Sequence, residues 1–232
     1  GLPYAEAAAS ELDHYASVKA HVVTGRSLHS SALFQSLAEG LGSRLAGVSS
    51  AIAAHTPREA VLQAAEEART SGADMLVAFG GGSVIDAVKM IQLCVWNGIK
   101  SYDDFDQHVP TVRADPSGRP DPGRHRLRAI AVPTTFSAAE FNWYAGCTDT
   151  RRSIKQWFSH PYFVPRTIIL DPAATAATPV SLLLSTGVKA VDHAVERLCS
   201  TSANALGDTL SEKALGLLSR ALPAIAKDKS DQ

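Results

Sequence analysis

The sequence predicts an α/β fold with a mostly parallel sheet, followed by the start of an all-helical domain. Short apolar runs alternate with helical patterns through most of the chain, which is typical of parallel strands joined by helices. From Thr178 to about Ala226 only helical patterns remain. We therefore expect an α/β domain over residues 1–175 and a helical domain over residues 176–232.

The amino-acid composition limits which classes of binding partner are expected. Hydrophobic residues make up 45% of the 232 residues, which is enough for a sizeable core. The 22 basic and 23 acidic residues give a formal net charge of -1, so no electrostatic argument favours nucleic acid or an anionic membrane surface. No apolar run approaches the ~20 residues that a membrane-spanning helix needs. We expect a small-molecule substrate, with neither nucleic acid nor a membrane as partner.

The cysteines predict a reducing compartment. Cys94, Cys147 and Cys199 lie far apart, and none belongs to a CxxC pair. Such a sparse and odd-numbered set is typical of reduced thiols rather than of a disulfide framework or a zinc site. The N-terminus shows no signal peptide. These observations predict a cytoplasmic protein.

The elements of the first half follow from local signals. Residues 4–16 are rich in alanine and predict a helix, and the β-prone run at 19–24 predicts a strand. Ser27 or Ser30 is a candidate cap for a helix over 31–41, and a short strand follows around Val48. The remaining predictions of this half are a helix over 57–71 that begins at a proline, a buried strand over 73–79 and a helix over 84–96.

The second half begins with a loop and ends with helices. Residues 107–126 hold several prolines and glycines, which predict an exposed loop. Buried strands are predicted over 128–132 and 166–170, and Pro133 and Pro172 follow them. The helical stretch then starts after Thr178.

A glycine-rich turn is the first feature that predicts chemistry. Gly80, Gly81, Gly82 and Ser83 stand between a buried strand and a helix. Glycines let the backbone approach a ligand, and the helix N-terminus offers N–H groups and partial positive charge that suit a pyrophosphate. The spacing is not GxGxxG, and a tight turn alone would also explain the glycines. The strand, turn and helix together favour a Rossmann-like nucleotide-binding domain.

The turn and its helix resemble a known signature. The sequence GGGSVIDAVK at 80–89 is similar to GGGSxxDxxK of the iron-containing alcohol dehydrogenase superfamily, which has a dehydroquinate synthase-like fold. The resemblance implies that the three glycines and Ser83 bind the pyrophosphate of NAD(P). It identifies Asp86 and Lys89 as the charged pair of the following helix. Their i, i+3 spacing also permits an ordinary salt bridge.

A second segment extends the resemblance. The sequence AVPTT at 131–135 is similar to the family's second nucleotide-contacting segment, which implies that Thr134 and Thr135 lie near the nicotinamide ribose. Two β-branched residues at a strand end are the alternative interpretation. The family continues with Gly-Ser-Glu, where this chain has Ala138, Ala139 and Glu140. The spacing from Pro133 to Glu140 resembles the maleylacetate reductase branch most.

Two further positions bear on the cofactor. Lys155 aligns with a family lysine that contacts the nucleotide, although it also fits a plain surface lysine. Members that prefer NAD carry an aspartate where this chain has Gly25, followed here by Arg26. Loss of the carboxylate removes repulsion of a 2′-phosphate, and a guanidinium can bind phosphate bidentately. The resemblance therefore implies NAD(P), with NADPH tolerated or preferred, while a surface role for Arg26 stays open.

The family's metal site is altered in this chain. The sequence at 186–196 resembles the TGxDAxxHAxE helix, whose aspartate and histidine bind a divalent metal. Here Lys189 and His193 occupy those positions, and a charged lysine cannot ligate a cation. Asp192 points about 100° away from His193 on a helix, which is poor geometry for a shared ion. We therefore expect no bound iron or zinc.

Three classes of function remain open. One is a metal-independent NAD(P)H-dependent oxidoreductase for a small carbonyl or unsaturated keto acid, in which Lys189 or His193 supplies positive charge at the developing alkoxide. The second is a non-redox dehydratase, isomerase or lyase that uses Lys189, His193 or Asp192 as acid or base. The third is a non-catalytic or regulatory homologue. The resemblance also implies a homodimer and a chain shortened at both ends relative to the family.

The helix around Lys189 also has a purely structural interpretation. Its polar residues would form a solvated face, and its apolar residues would pack against the protein. The apolar face predicted in this way consists of Val188, Val191, Val195 and Leu198.

Overall fold

The computed structural model describes residues 1–109, 126–175 and 177–228. The predicted loop at 107–126 lies outside the described residues except at its two ends. The predicted boundary near residue 175 stays a prediction.

Five parallel strands form the central sheet, which confirms the predicted fold class. The strand order is β2-β1-β3-β4-β7. The strands of the chain are β1 (Ala20–Val23), β2 (Leu45–Ser49), β3 (Met75–Gly80), β4 (Arg128–Pro133), β5 (Tyr144–Asp149), β6 (Ile154–Ser159) and β7 (Thr167–Ile168). The predicted strand at 166–170 is thus shorter in the structure, where β7 spans Thr167–Ile168 and the flanking N–H groups of Arg166 and Ile169 donate to carbonyl oxygens of β4 at 2.8 Å.

Helices cover both faces of the sheet. The helices before the C-terminal pair are α1 (Tyr4–His14), α2 (Arg26–His29), α3 (Ala32–Leu41), α4 (Arg58–Thr70), α5 (Gly82–Asn97) and α6 (Pro172–Thr175). Helices α1 and α3 form one core with the sheet, in which Leu12 and Leu37 are fully buried. Helices α4 and α5 form the other, with Val61 and Ile91 fully buried. This double coverage explains why the strands read as continuous apolar runs.

The predicted cap of α3 was one residue off. Ser31, rather than Ser27 or Ser30, accepts the Phe34 N–H at 3.3 Å through its hydroxyl oxygen. The reason is helix α2, which takes up residues 26–29 and has Ser30 as its own C-terminal residue. The cap of the next helix therefore moves to Ser31.

The antiparallel hairpin of β5 and β6 was not predicted. One of its faces is buried, with Ala145, Cys147 and Phe158 at 0–1% exposure. The other face carries Tyr144 and Trp157, which are large and apolar although partly exposed. The alternation of apolar and polar residues that marks a half-buried strand is therefore blurred.

Two long helices, α7 (Val180–Leu198) and α8 (Ala205–Lys227), close the described chain. The predicted apolar packing face of α7 was wrong, because Val188 is 61% and Val195 is 45% exposed. The buried face contains Leu183, Gly187 and Ala194 instead. A Cβ atom at Gly187 would overlap a side chain of α8, so this glycine permits the close approach of the two helices. None of the helices in the described ranges is long and apolar enough to cross a membrane.

Candidate functional site

Three predicted segments meet at one edge of the sheet. Gly25 follows β1, the glycine turn ends β3, and Thr134 and Thr135 follow β4. These three strands are neighbours, and the carboxyl ends of parallel strands lie at the same edge. The strand order reverses between β1 and β3, where open α/β sheets bind ligands. The structure thus brings together segments that lie more than 100 residues apart in sequence.

The glycine turn leaves the start of α5 open. Gly81 is the N-terminal cap, and its carbonyl oxygen accepts the N–H groups of Val84 and Ile85 at 2.9 and 3.1 Å. The amides of Gly82 and Ser83 lie in the first turn, where no preceding helical carbonyl can accept them. Their N–H groups and the helix dipole form the kind of site that binds phosphate oxygens.

Close packing is a second reason for the glycines. A Cβ atom at Gly81 would lie 2.9 Å from Thr135 Cγ2, and one at Gly82 would lie 3.0 Å from Ser137 Oγ. Both distances are too short for ordinary packing. The glycines therefore let the segment after β4 approach the start of α5, and any larger residue would displace that segment.

A loop before α4 wraps around the first turn of α5. The Ser83 hydroxyl oxygen accepts the His55 N–H at 3.2 Å, and the Ser83 carbonyl accepts the Thr56 hydroxyl at 3.0 Å. A hydroxyl has one proton and two lone pairs, so Ser83 still has a proton to donate. No signal in the sequence pointed to this loop.

The predicted charged pair of α5 serves the protein itself. Lys89 Nζ lies 3.9 Å from Asp86 Oδ1. Lys89 is 1% exposed and donates to the carbonyl oxygens of Ala139 at 2.7 Å and Tyr144 at 2.6 Å. Burial lowers the pKa of Lys89 to about 8, although Asp86 and Glu140 oppose this shift. Lys89 therefore joins the segment after β4 to the hairpin, and its ammonium does not face a ligand.

Asp86 connects the buried Lys89 to Lys155 of the hairpin. Asp86 Oδ2 accepts the Gly146 N–H of β5 at 3.1 Å. Burial raises the pKa of Asp86, and the charges of Lys89 and Lys155 oppose the shift. Lys155 itself is exposed on β6, with its Nζ 5.3 Å from the centre of the Trp157 ring. Its ammonium is thus accessible above the second turn of α5.

The two threonines after β4 differ in their contacts. The Thr134 N–H donates to the Gly80 carbonyl at 3.1 Å, and the Thr134 carbonyl accepts the Thr178 hydroxyl at 2.9 Å. The Thr135 hydroxyl is buried and has no hydrogen-bond partner within the described residues. Thr134 therefore holds the turn together, whereas Thr135 has a hydroxyl available for a ligand.

Gly25 and Arg26 lie at the end of β1. Gly25 is the N-terminal cap of α2, and Arg26 is the first residue of that short helix. The Arg26 side chain is exposed. Arg26 follows β1, which lies beside β3 in the sheet. This position is compatible with the predicted contact between Arg26 and the 2′-phosphate of NADPH.

A cavity of about 800 Å³ lies beside Thr135. The segments after β4 and β7 form its wall on the sheet side, and α8 forms much of the opposite wall. Most of the lining side chains are apolar, and three are charged. The charged ones are Glu140, Asp171 and Arg220. The volume lies within the range of small-molecule sites.

The predicted catalytic residues lie outside this cavity wall. Lys189, Asp192 and His193 are exposed on α7, and none of them lines the cavity. Lys189 and Asp192 form an ion pair, which raises the pKa of Lys189 and lowers that of Asp192. One turn before Lys189, the Thr186 hydroxyl oxygen accepts the Phe136 N–H at 3.2 Å. Because Phe136 lines the cavity, this face of α7 begins at the cavity edge and continues away from it.

The structure also gives a test of metal fit. Within residues 1–109, 126–175 and 177–228, no three His, Cys, Asp or Glu side chains converge so that they could hold an ion. His193 has the paired Lys189 ammonium one turn away on its helix. The Lys189 ammonium opposes a cation beside His193, and the absence of bound iron or zinc stays a prediction.

Two residues of this region escaped sequence reasoning. Ala138 adopts a φ of +55°, a left-handed conformation that favours glycine, and the sequence signal was the missing family glycine. Arg220 lines the cavity from α8. No sequence signal identified it, because an arginine on a predicted helix usually faces solvent and the packing of α8 is non-local.

Comparisons with known proteins agree with this geometry. A family model described as iron-containing alcohol dehydrogenase matches residues 4–172. Dehydrogenase ALT3 of Alternaria alternata is 32% identical over 199 residues, which cover 85% of this chain and 51% of that protein. The chain thus spans about half the length of the curated relatives that it matches.

Solved structures show the same fold. Maleylacetate reductase from Agrobacterium tumefaciens is 26% identical, with a TM-score of 0.77 over 98% of this chain and 55% of that one. Sulfoacetaldehyde reductase from Bifidobacterium kashiwanohense, solved in complex with NAD+, has a TM-score of 0.85 at 20% identity. That match covers 100% of this chain and 59% of the other, and at this identity it shows the fold alone.

Proposed function

This chain belongs to the iron-containing alcohol dehydrogenase family, and from that premise we propose that it binds NAD(P)H and reduces a small carbonyl or unsaturated keto acid. The observation that supports this best is the convergence of the open start of α5 with the unpartnered Thr135 hydroxyl. Both lie at the sheet edge where α/β proteins bind ligands, and the large cavity adjoins Thr135.

Each part of the site has a binding role in this proposal. The amides of Gly82 and Ser83 bind the pyrophosphate, with Gly80 and Gly81 shaping the turn. Thr135 donates to the nicotinamide ribose, and Lys155 adds positive charge from the hairpin. A bound nicotinamide would supply the hydride, while the residues of the chain orient it and line the cavity that holds the substrate.

The 2′-phosphate of NADPH is the proposed partner of Arg26. No carboxylate stands at Gly25 to repel that phosphate, and the Arg26 guanidinium is exposed at the same strand end. A guanidinium can bind a phosphate through two parallel hydrogen bonds. NADPH is therefore expected to bind at least as well as NADH.

The reduction is proposed to proceed without a metal. Lys189, with Asp192 holding it in place, or His193 would supply positive charge near the developing alkoxide. The support is chemical, because an ammonium replaces the anionic ligand of the family. These side chains lie one to two turns after Thr186, whose hydroxyl oxygen accepts the Phe136 N–H at the cavity edge.

Assembly and location also belong to the proposal. We expect a homodimer in the cytoplasm. The three cysteines of the chain are free in the structure, and two of them are buried, as expected of a protein from a reducing compartment. Light scattering of the purified protein tests the dimer.

Fluorescence titrations with NADPH and NADH test the nucleotide site. The informative variant is Thr135→Val, because the Thr135 hydroxyl has no partner in the described protein and its loss should leave folding intact. Loss of one hydrogen bond is expected to weaken both cofactors by about 3- to 10-fold. Lys155→Met should weaken both, and Arg26→Gln should weaken NADPH alone. Lys227→Met, an exposed lysine at the end of α8, is the matched control.

The titrations have clear contradicting outcomes. If neither cofactor binds, the proposed function is wrong. If both bind but Thr135→Val and Lys155→Met bind as well as wild type, the cofactor lies elsewhere. Bulky residues at Gly81 or Gly82 are poor tests, since their Cβ atoms would meet Thr135 and Ser137 even without a ligand.

A further inference from the structure

The charged groups of the large cavity are not equivalent. Asp171 uses both carboxylate oxygens, because Oδ2 accepts the Tyr4 N–H at 2.8 Å and Oδ1 accepts the Ala173 N–H at 2.9 Å. Glu140 is 3% exposed, and burial raises its pKa, although Lys89 opposes this shift. Asp171 is therefore held by the protein through both oxygens, whereas Glu140 is buried in the wall and its Oε2 has no hydrogen-bond partner among the described residues.

Arg220 is the third charged group and differs from the two acids. It lies on a stripe of α8 that lines the cavity, together with Leu217, Ala221, Ala224 and Ile225. The Arg220 side chain is exposed, and it forms no ion pair or hydrogen bond with any residue that the structure describes. By contrast, Arg58 and Arg128 donate to carbonyl oxygens of the fold. Arg220 is thus a free guanidinium beside an apolar cavity.

The rest of the cavity selects for an apolar body. Large apolar side chains approach from the sheet side and from both C-terminal helices. They are Phe136, Phe141, Leu170, Leu183 and Leu217. A ligand that fills this space would place hydrocarbon against these walls and would satisfy Arg220 with an anion. A guanidinium binds a carboxylate in a planar, bidentate arrangement.

We propose that Arg220 binds the carboxylate of an oxo acid, so that this chain prefers carbonyl substrates with a carboxylate at the other end over neutral aldehydes and ketones. This inference rests on the proposed function for the reduction, but the binding of a carboxylate does not depend on it. Arg220 acts as a specificity residue, and the apolar walls hold the chain between carboxylate and carbonyl.

Binding and kinetics test the inference separately. Calorimetry compares hexanoate with hexanamide, which have nearly the same shape and differ in charge. Kinetics compare 6-oxohexanoate with hexanal at saturating NADPH. The variants are Arg220→Gln and, as the matched control, Lys213→Gln, which removes one positive charge from α8 outside the cavity wall.

Wild type and Lys213→Gln are expected to bind hexanoate at least 10-fold more tightly than hexanamide. Both proteins should also have a correspondingly lower KM for 6-oxohexanoate than for hexanal. In Arg220→Gln this preference should fall to less than about 2-fold, while the affinity for NADPH stays unchanged.

The inference is overturned if hexanoate has no advantage over hexanamide in wild type, or if Arg220→Gln keeps that advantage. A failure of the proposed function looks different. In that case no carbonyl compound is reduced, yet the calorimetric preference for hexanoate and its loss in Arg220→Gln still decide the role of Arg220.

Discussion

At the scale of single residues, Ala138 occupies a backbone conformation that suits glycine. Its φ is +55°, and its side chain is exposed, so its Cβ adds strain with little packing in return. A left-handed conformation costs a residue with a Cβ about 1–2 kcal/mol. Glycine also loses more backbone entropy on folding, which offsets part of the gain.

Ala138→Gly is therefore expected to raise the free energy of unfolding by about 0.5–1 kcal/mol, the net of lower strain and higher backbone entropy loss. Urea unfolding followed by circular dichroism measures it. Ala9→Gly, in the middle of α1, is the control and should lower stability by about 0.5–1 kcal/mol. Equal losses in both variants would show that Ala138 is not strained.

Residues of the site were predictable where their signal is local. Gly81, Ser83 and Thr135 belong to contiguous motifs whose chemistry depends on a strand end and a helix start. Their convergence follows from the parallel sheet alone. Arg220 was not predictable, because its role depends on the face that α8 turns toward a distant segment. The contact of Lys89 with carbonyl oxygens was likewise hidden by a plausible pairing with Asp86.

At the scale of elements, the hairpin that carries Lys155 is held by a buried arginine. Arg58 at the start of α4 is 0% exposed. Its Nη2 donates to Asp106 at 2.5 Å, and its Nη1 donates to the Tyr102 carbonyl at 2.8 Å. Arg58 also donates to Gln156 of β6. The hairpin was missed in the sequence because such cross-links, rather than clear alternation, fix its position.

Arg58→Met is expected to lower the free energy of unfolding by about 3 kcal/mol, since it leaves buried acceptors without a donor. Thermal and urea unfolding provide the measurement. Arg44→Met is the matched control, because Arg44 pairs with the largely exposed Asp13, and it should cost less than about 1 kcal/mol. Losses of the same size would contradict an anchoring role for Arg58.

At the scale of the whole molecule, the fold class followed from the sequence because both faces of the sheet are covered. Buried parallel strands must be continuous apolar runs, and amphipathic helices must alternate with them. The orientation of α7 did not follow in the same way. Its apolar residues are spread around the helix, with Val188 and Val195 exposed while Gly187 faces α8. Composition could not show which of these faces the chain would bury.

The last prediction for the whole molecule concerns metal binding on helix α7. A divalent ion in a protein site needs three or four convergent donors. Where the resemblance implies a ligating aspartate and histidine on α7, this chain has Lys189 and His193, and the Lys189 ammonium adds repulsion one turn from His193. Protein purified without added metal is therefore expected to contain well under one equivalent of iron or zinc by mass spectrometry.

Substitution of Lys189 tests whether its positive charge prevents metal binding, and the measurement does not depend on enzymatic activity. Lys189→Asp places a carboxylate four residues before His193, on the same side of α7, where both can reach one ion. It is expected to bind Zn²⁺ at least 10-fold more tightly than wild type in a competition titration with a coloured chelator. Lys189→Met removes the same positive charge without adding a ligand, so it should gain much less. Two outcomes would contradict the prediction: stoichiometric metal in wild type, or equal Zn²⁺ affinity in the aspartate and methionine variants. In either case Lys189 does not determine metal binding at this position, and the proposal of a metal-independent reduction loses its physical basis.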